Sequence, residues 1–173
     1  MLKKIIVLLL LISIIKIYSQ SIFNVSTNIS ISLNNGLALN KVKGDLDFGD
    51  IIYNRNRLTL TRSADTGIEF EVTGFRRQNV TVTYTRNVTL NNYDWVNTFS
   101  GTKGTIRFTS NVRQTSGNIN YVGSSTLRNG GSVRLSNDIP LGKLYIWIGG
   151  RMTINTNQPY GDYKGTFTLT VEY

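Results

Sequence analysis

Apolar and polar residues alternate with a period of two along most of the chain after residue 20, and no other feature constrains the fold as strongly. Between Phe23 and Leu33, the positions Phe23, Val25, Thr27, Ile29, Ile31 and Leu33 alternate with Asn24, Ser26, Asn28, Ser30 and Ser32. Successive side chains of a strand point to opposite sides, so this segment reads as a long strand with one apolar and one polar face. The same rhythm returns in Ile68 to Val72, with Glu69 and Glu71 expected on the solvent face, in Val80 to Tyr84, and in Phe167 to Tyr173. Leu46 to Ile51, Leu58 to Thr61, Ile106 with Phe108, Lys143 to Ile148, and Met152 to Ile154 read as shorter strands. Ser110 to Gly131 reads as a long loop or edge hairpin, and no helical period is visible outside the first twenty residues. With 16 Gly, 2 Pro and turn signals such as Asn34-Asn35-Gly36, the expectation is an all-β chain of roughly nine to eleven strands in an antiparallel sandwich.

The first twenty residues follow a different rule. Lys3 and Lys4 precede an apolar run from Ile5 to Ile15 that only Ser13 interrupts, and Ser19 sits where a secretory cut would fall. The run is about half of the ~20 residues that a membrane span needs. Met1–Gln20 is therefore expected to be a signal peptide, with an uncleaved anchor as the competing reading because Lys16 follows the run and no A-x-A site is present, residues 21–173 are expected to form one domain, and the mature chain to be exported to the periplasm, cell surface or medium, without a stable membrane span. Its removal would take Lys3, Lys4 and Lys16 from a net charge of +9.

The chain has no cysteine and no histidine, which removes disulfides, thiolate chemistry, imidazole ligands and the Ser-His-Asp triad. The remaining candidates are weak, and no enzyme activity, cofactor or metal is expected. Glu69 and Glu71 share one strand face, but alternation places them in solvent, where acid–base chemistry lacks the burial it needs. Asp45, Asp47 and Asp50 flank a short strand without the spacing of a calcium loop. The N-x-S/T triplets at Asn24, Asn28, Asn79 and Asn87 are what a chain rich in Asn and Thr produces by composition. Basic residues are scattered in runs no longer than two, which argues against a nucleic-acid partner and leaves only weak adhesion to anionic polysaccharide or lipid headgroups. In Leu144-Tyr145-Ile146-Trp147-Ile148 the aliphatic residues face the core, whereas Tyr145 and Trp147 face outward. That aromatic pair is the candidate ligand face, suited to a sugar ring or a subunit contact, unless a loop or crossing strand covers it.

The two ends of the chain carry a resemblance. The alternating N-terminal strand leads into Leu46-Asp47-Phe48-Gly49-Asp50-Ile51, and Phe70-Glu71-Val72-Thr73-Gly74 precedes Val80-Thr81-Val82-Thr83-Tyr84. The chain closes with Gly161-Asp162-Tyr163-Lys164-Gly165-Thr166-Phe167-Thr168-Leu169-Thr170-Val171-Glu172-Tyr173, the most specific element. This pattern resembles the DUF4402 family of exported bacterial proteins, and its ending is similar to spore coat protein U and chaperone–usher pilin domains. The resemblance spans nearly all of Val25 to Tyr173, although Asn87 to Lys143 matches only in texture.

It implies an immunoglobulin-like, pilin-like sandwich exported by a Gram-negative-type cell and acting as a surface or fimbria-like structural subunit. Pilin-type subunits accept a strand from a neighbour's N-terminus and meanwhile bind a periplasmic chaperone through their C-terminal strand. Phe23, Val25, Ile29, Ile31 and Leu33 have the spacing of such a donor, or of the domain's own first strand. Phe167, Leu169, Val171 and Tyr173 are the corresponding C-terminal candidates. The disulfide of the best-known pilins is absent. The expected partners are other copies or pilus-like subunits and a chaperone; the alternative is a secreted monomer that binds carbohydrate through Tyr145 and Trp147.

Overall fold

The computed structural model describes residues 22–32, as backbone, together with 36–52, 54 and 56–173. Met1–Gln20 and Leu33 lie outside the described residues. Among these residues twelve strands follow in order: β1 (Ile22–Ser32), β2 (Ala38–Lys43), β3 (Asp50–Ile52), β4 (Leu58–Arg62), β5 (Ile68–Gly74), β6 (Asn79–Tyr84), β7 (Asn87–Asn91), β8 (Thr105–Thr115), β9 (Ser125–Thr126), β10 (Gly131–Arg134), β11 (Gly142–Ile154) and β12 (Tyr163–Glu172). A 3-10 turn, Ala64–Thr66, precedes β5, and one short helix, α1 (Tyr93–Phe99), joins β7 to β8. No described helix is long and apolar enough to cross a membrane.

Hydrogen-bonded neighbours run β10-β6-β12-β7-β8-β11-β5-β2, with β4 also on β11, β9 on β8, and β1 on both β12 and β3. Among the described residues every pairing is antiparallel except β1 with β12. β5 and β6 stand five places apart on that path, yet only residues 75–78 join them. The sheet therefore curls back on itself and brings the ends of β5 and β12 together. There the Phe75 N–H donates to Tyr173 Oη at 2.8 Å, and the two rings stack with centroids 5.7 Å apart.

One apolar core fills the curl. It takes Leu39 from β2, Phe70 from β5, Val82 from β6, Phe108 from β8, Ile146 from β11 and Phe167 from β12, all buried. Removing a side chain of this size from water contributes about 1.5–3 kcal/mol, which is how a chain without disulfides holds this shape. Alternation thus does what the sequence requires in β5, β6, β8 and β12.

Three local features differ from the sequence reading. Lys143 to Ile148 and Met152 to Ile154 form one strand, β11, which passes through Gly149-Gly150 unbroken. A Cβ on Gly150 would stand 2.4 Å from the Phe108 ring, so that glycine permits close packing and does not end the strand. Leu46 to Ile51 is not one strand. Asp45 Oδ1 accepts from the Leu46 N–H at 2.9 Å and Asp47 Oδ1 from the Gly49 N–H at 2.8 Å, which turns the backbone until β3 begins at Asp50. The third is α1, under two turns long and too short to leave a helical period in the sequence.

Candidate functional site

Both candidate strands lie side by side. β1 runs parallel to β12 from Val25 opposite Tyr163 to Ser32 opposite Thr170, which puts Ile29 across from Phe167 and Ile31 across from Leu169. Phe23, at the other end of β1, pairs with Ile51 of β3. The far edge of β12 is occupied as well, by β7 at Lys164 and by β6 from Leu169 to Glu172. Between those two partners, Thr85 bridges the gap: its N–H donates to the Thr168 carbonyl at 3.0 Å and its hydroxyl accepts from the Thr168 N–H at 3.3 Å. Phe167, Leu169 and Val171 are core residues, whereas Tyr173 lies just past the strand end and is 44% exposed. β12 is thus an interior strand whose one edge is closed by the N-terminal segment of its own chain. Residues 33–37 are all that separate β1 from β2.

Tyr145 and Trp147 lie on the outer face of β11, as alternation requires, but they are covered. Trp147 is 2% exposed, with Tyr121 edge-on at 5.6 Å and Ala64 of the 3-10 turn packed beside the pair. Arg113 of β8 fastens the covering loop: its Nε donates to Ser124 Oγ at 2.8 Å, its Nη2 donates to the Ser124 carbonyl, and its guanidinium lies 5.8 Å from the Tyr121 ring centre. Neither ring is open to a sugar in this arrangement. Tyr121, Arg113 and Ser124 sit in or beside a Gly-, Ser- and Asn-rich stretch that carries no periodic signal, so the sequence gives no reason to single them out.

The same cover corrects the reading of Glu69 and Glu71 as solvent-facing residues. Glu69 is 1% exposed, beside Trp147 in the register. Lys43 Nζ meets its Oε2 at 3.0 Å, while Oε1 is buried without a hydrogen-bond partner. Glu71 accepts from Lys143 Nζ at 2.7 Å and from Tyr145 Oη at 2.9 Å. The Lys143 hydrogen bond holds the Glu71 carboxyl below the usual carboxylate value, against the opposing effect of burial. Burial first, then the Glu71 carboxylate, pushes the Tyr145 hydroxyl up. These carboxylates anchor a covered face, because a turn and a loop roof what alternation alone assigns to solvent.

Among the described residues no group of three or more His, Cys, Asp or Glu could hold a metal ion. At the opposite end, buried Asn92 ties three segments together. Its Nδ2 donates to the carbonyls of Thr102 and Tyr160 at 3.0 and 2.8 Å, and its Oδ1 accepts from the Gly104 N–H at 2.7 Å. Of the Asn-x-Ser/Thr positions, Asn87 uses its Oδ1 to accept from Arg107 Nε and the Thr109 hydroxyl.

These features define a class: an all-β protein whose curled sheet is edged by its own N-terminal strand, docked in parallel along the C-terminal one. The chain belongs to the family described as "Domain of unknown function (DUF4402)", whose model matches residues 37–173. The match begins at Leu37, after β1. No curated protein matches the chain.

Proposed function

We propose that the protein is an exported, non-enzymatic structural subunit of a surface or fimbria-like assembly. In this reading its fold is an immunoglobulin-like, pilin-like sandwich, and copies are joined by β1 docking on β12 of a neighbour. One observation carries the reading: β1 lies along an edge of β12 over Val25–Ser32 and precedes β2 in the sequence by only residues 33–37. The family match to residues 37–173 supports it, because the matched portion contains β12 but not the strand that closes its edge.

The physical argument is exchange. A terminal strand held by ladder hydrogen bonds makes the same backbone contacts whether it comes from its own chain or the next, so swapping costs little beyond the freedom of the subunits. Without β1, the N–H and C=O groups along that edge of Tyr163–Thr170 lose their strand partner. Such an edge pairs with whatever strand is offered, including that of a periplasmic chaperone during export. The alternative, a monomer that stacks sugars on Tyr145 and Trp147, has no observation in its favour while Tyr121 covers Trp147.

The test is the solution mass of the chain from Gln20 onward, with and without residues 22–32, by light scattering and by gel electrophoresis before and after heating in SDS. Resistant oligomers that vanish on deletion are expected. A monomer at every concentration, or oligomers that survive the deletion, would refute strand donation.

A further inference from the structure

Arginines that the sequence scatters converge on the outer face of the sheet. Arg57, Arg86, Arg107 and Arg151 line one groove of about 780 Å3. Strand register explains the meeting. Arg151 of β11 pairs with Thr109 of β8, which pairs in turn with Asn87 of β7. Arg107 stands two residues from Thr109 and so shares its face, while Thr153, two residues from Arg151, pairs with Thr59 of β4. Diagonal positions on neighbouring strands lie about 7–8 Å apart, so Arg107 and Arg151 can grip successive groups of one ligand. The intervening Ile106, Phe108 and Met152 point the other way, into the core.

The chemistry of the lining is one-sided. Among the described residues no Asp or Glu borders the groove, and the ion pairs there, Lys43–Glu69 and Lys143–Glu71, involve none of these arginines. Asn87 Oδ1 accepts from Arg107 Nε at 3.1 Å, which holds the guanidinium in place with its Nη groups left for a ligand. Guanidinium pairs in bidentate fashion with carboxylate and sulfate groups. Thr59, Thr105, Thr109 and Thr153 add hydroxyls that can bond those of a sugar. Among the described residues no aromatic ring lines the groove, so the bases of a nucleic acid would find no stacking partner among them. Its apolar members, Ile106 and Met152, are buried, so it offers nothing to insert into a membrane. Arg151 and Thr109 also border an adjoining groove with Arg62, and Arg86 borders another with Arg128, so the basic lining continues beyond the groove on its Ser110–Asn111 side and suits a chain better than a small ion.

We propose that this groove binds an acidic polysaccharide, with Arg107 and Arg151 pairing to its carboxylate or sulfate groups. The site is independent of the β1–β12 seam and of strand donation. The experiment titrates the purified protein by calorimetry with polygalacturonate, dextran sulfate, neutral dextran, a single-stranded oligonucleotide and phosphatidylglycerol vesicles. One or both acidic polysaccharides should bind and neutral dextran should not; the two acidic arms distinguish carboxylate from sulfate as the recognised group. Arg107→Gln with Arg151→Gln should weaken binding at least ~10-fold. Lys41→Gln with Arg76→Gln, an equal charge change outside the groove, should change it by less than about 2-fold. Thermal melting of each variant establishes that it is folded. Absence of binding by both acidic polysaccharides, equal losses in the two double variants, or tighter binding of the oligonucleotide or vesicles would each overturn the proposal.

Discussion

Deleting Lys43 and neutralising Glu69 break the same ion pair, yet their effects on stability should differ several-fold. Lys43 Nζ meets Glu69 Oε2 at 3.0 Å, but the lysine side chain is 66% exposed and the glutamate side chain 2%. Glu69 Oε1 is buried with no hydrogen-bond partner, so among the described residues the lysine is the group that compensates that carboxylate. Lys43→Ala leaves a buried charge with neither oxygen engaged, at a cost of about 1–3 kcal/mol; the middle of that range is about 2 kcal/mol. Glu69→Gln instead removes the charge along with a pair whose other half is in water, where such pairs contribute about 0–1 kcal/mol. It should stay within about 1 kcal/mol of the parent and could be stabilising. In the double variant the loss from Lys43→Ala should shrink by half or more, since nothing charged is left stranded. Urea unfolding of the four proteins closes the cycle. For a chain of this size about 2 kcal/mol corresponds to roughly 4–8 °C in melting temperature. Equal losses in the two single variants, with additivity in the double, would refute the argument that burial of Glu69 sets the cost.

Three further outcomes follow from the geometry. The chain has no cysteine, so Asn28→Cys with Thr166→Cys, a register pair of β1 and β12, gives a clean cross-link. Neighbouring strands bring such Cα atoms within the range of about 4.4–6.8 Å that a disulfide accepts. Oxidised assemblies should form a covalent ladder on non-reducing gels if β1 is donated, and monomer bands alone would show pairing within the chain. Glu71, held below its ordinary 4.5, contributes stability above about pH 4.5 that is lost as pH falls through its lowered value. Lys143, raised chiefly by its hydrogen bond to Glu71, and Tyr145, raised chiefly by burial, contribute below about pH 10 and lose this as pH rises through their raised values. Glu71→Gln should flatten the acid limb of the stability profile, and an unchanged limb would count against the assignment. Gly150→Ala places a methyl 2.4 Å from the Phe108 ring and 2.5 Å from the Thr109 carbonyl oxygen, so a loss of about 1–3 kcal/mol is expected in thermal melting.

What the sequence makes legible is the face each residue takes. Period-two alternation in β5, β6 and β12 assigns Phe70, Val82 and Phe167 to the core, and the structure buries all three. It fails where something beyond the strand decides burial. Glu69 alternates like an outward residue and does point outward, but it is buried beside Trp147 under a roof made by the turn at Ala64 and the distant Tyr121 loop, which the strand's own pattern does not encode. Asp47 fails for a more local reason: its side chain bonds the Gly49 N–H and bends a segment that hydropathy alone reads as extended. The two-residue rhythm also says nothing about direction. That β1 lies parallel to β12 depends on how the path curls, which no pattern within either strand encodes.

The same limit governs the candidate sites. Sequence spacing places Arg107 forty-four residues from Arg151 and fifty from Arg57, and by that measure the basic residues are dispersed. Register reverses the judgement. β8 and β11 pair Arg151 with Thr109, β4 and β11 pair Thr59 with Thr153, and alternation then sends the arginines to one face where no described carboxylate lines the groove. A charge pattern carried by strands is thus a two-dimensional object: one coordinate is the alternation, visible in the sequence, and the other is strand order, which is not. The N-terminal strand is affected in the opposite sense. Its apolar spacing is plain in Phe23, Val25, Ile29 and Ile31, but a strand that closes the edge of β12 has the same spacing whether the edge is its own or a neighbour's. Only a measurement sensitive to chain identity, such as the Asn28–Thr166 cross-link, separates the two, because every non-covalent contact across the seam is the same in both.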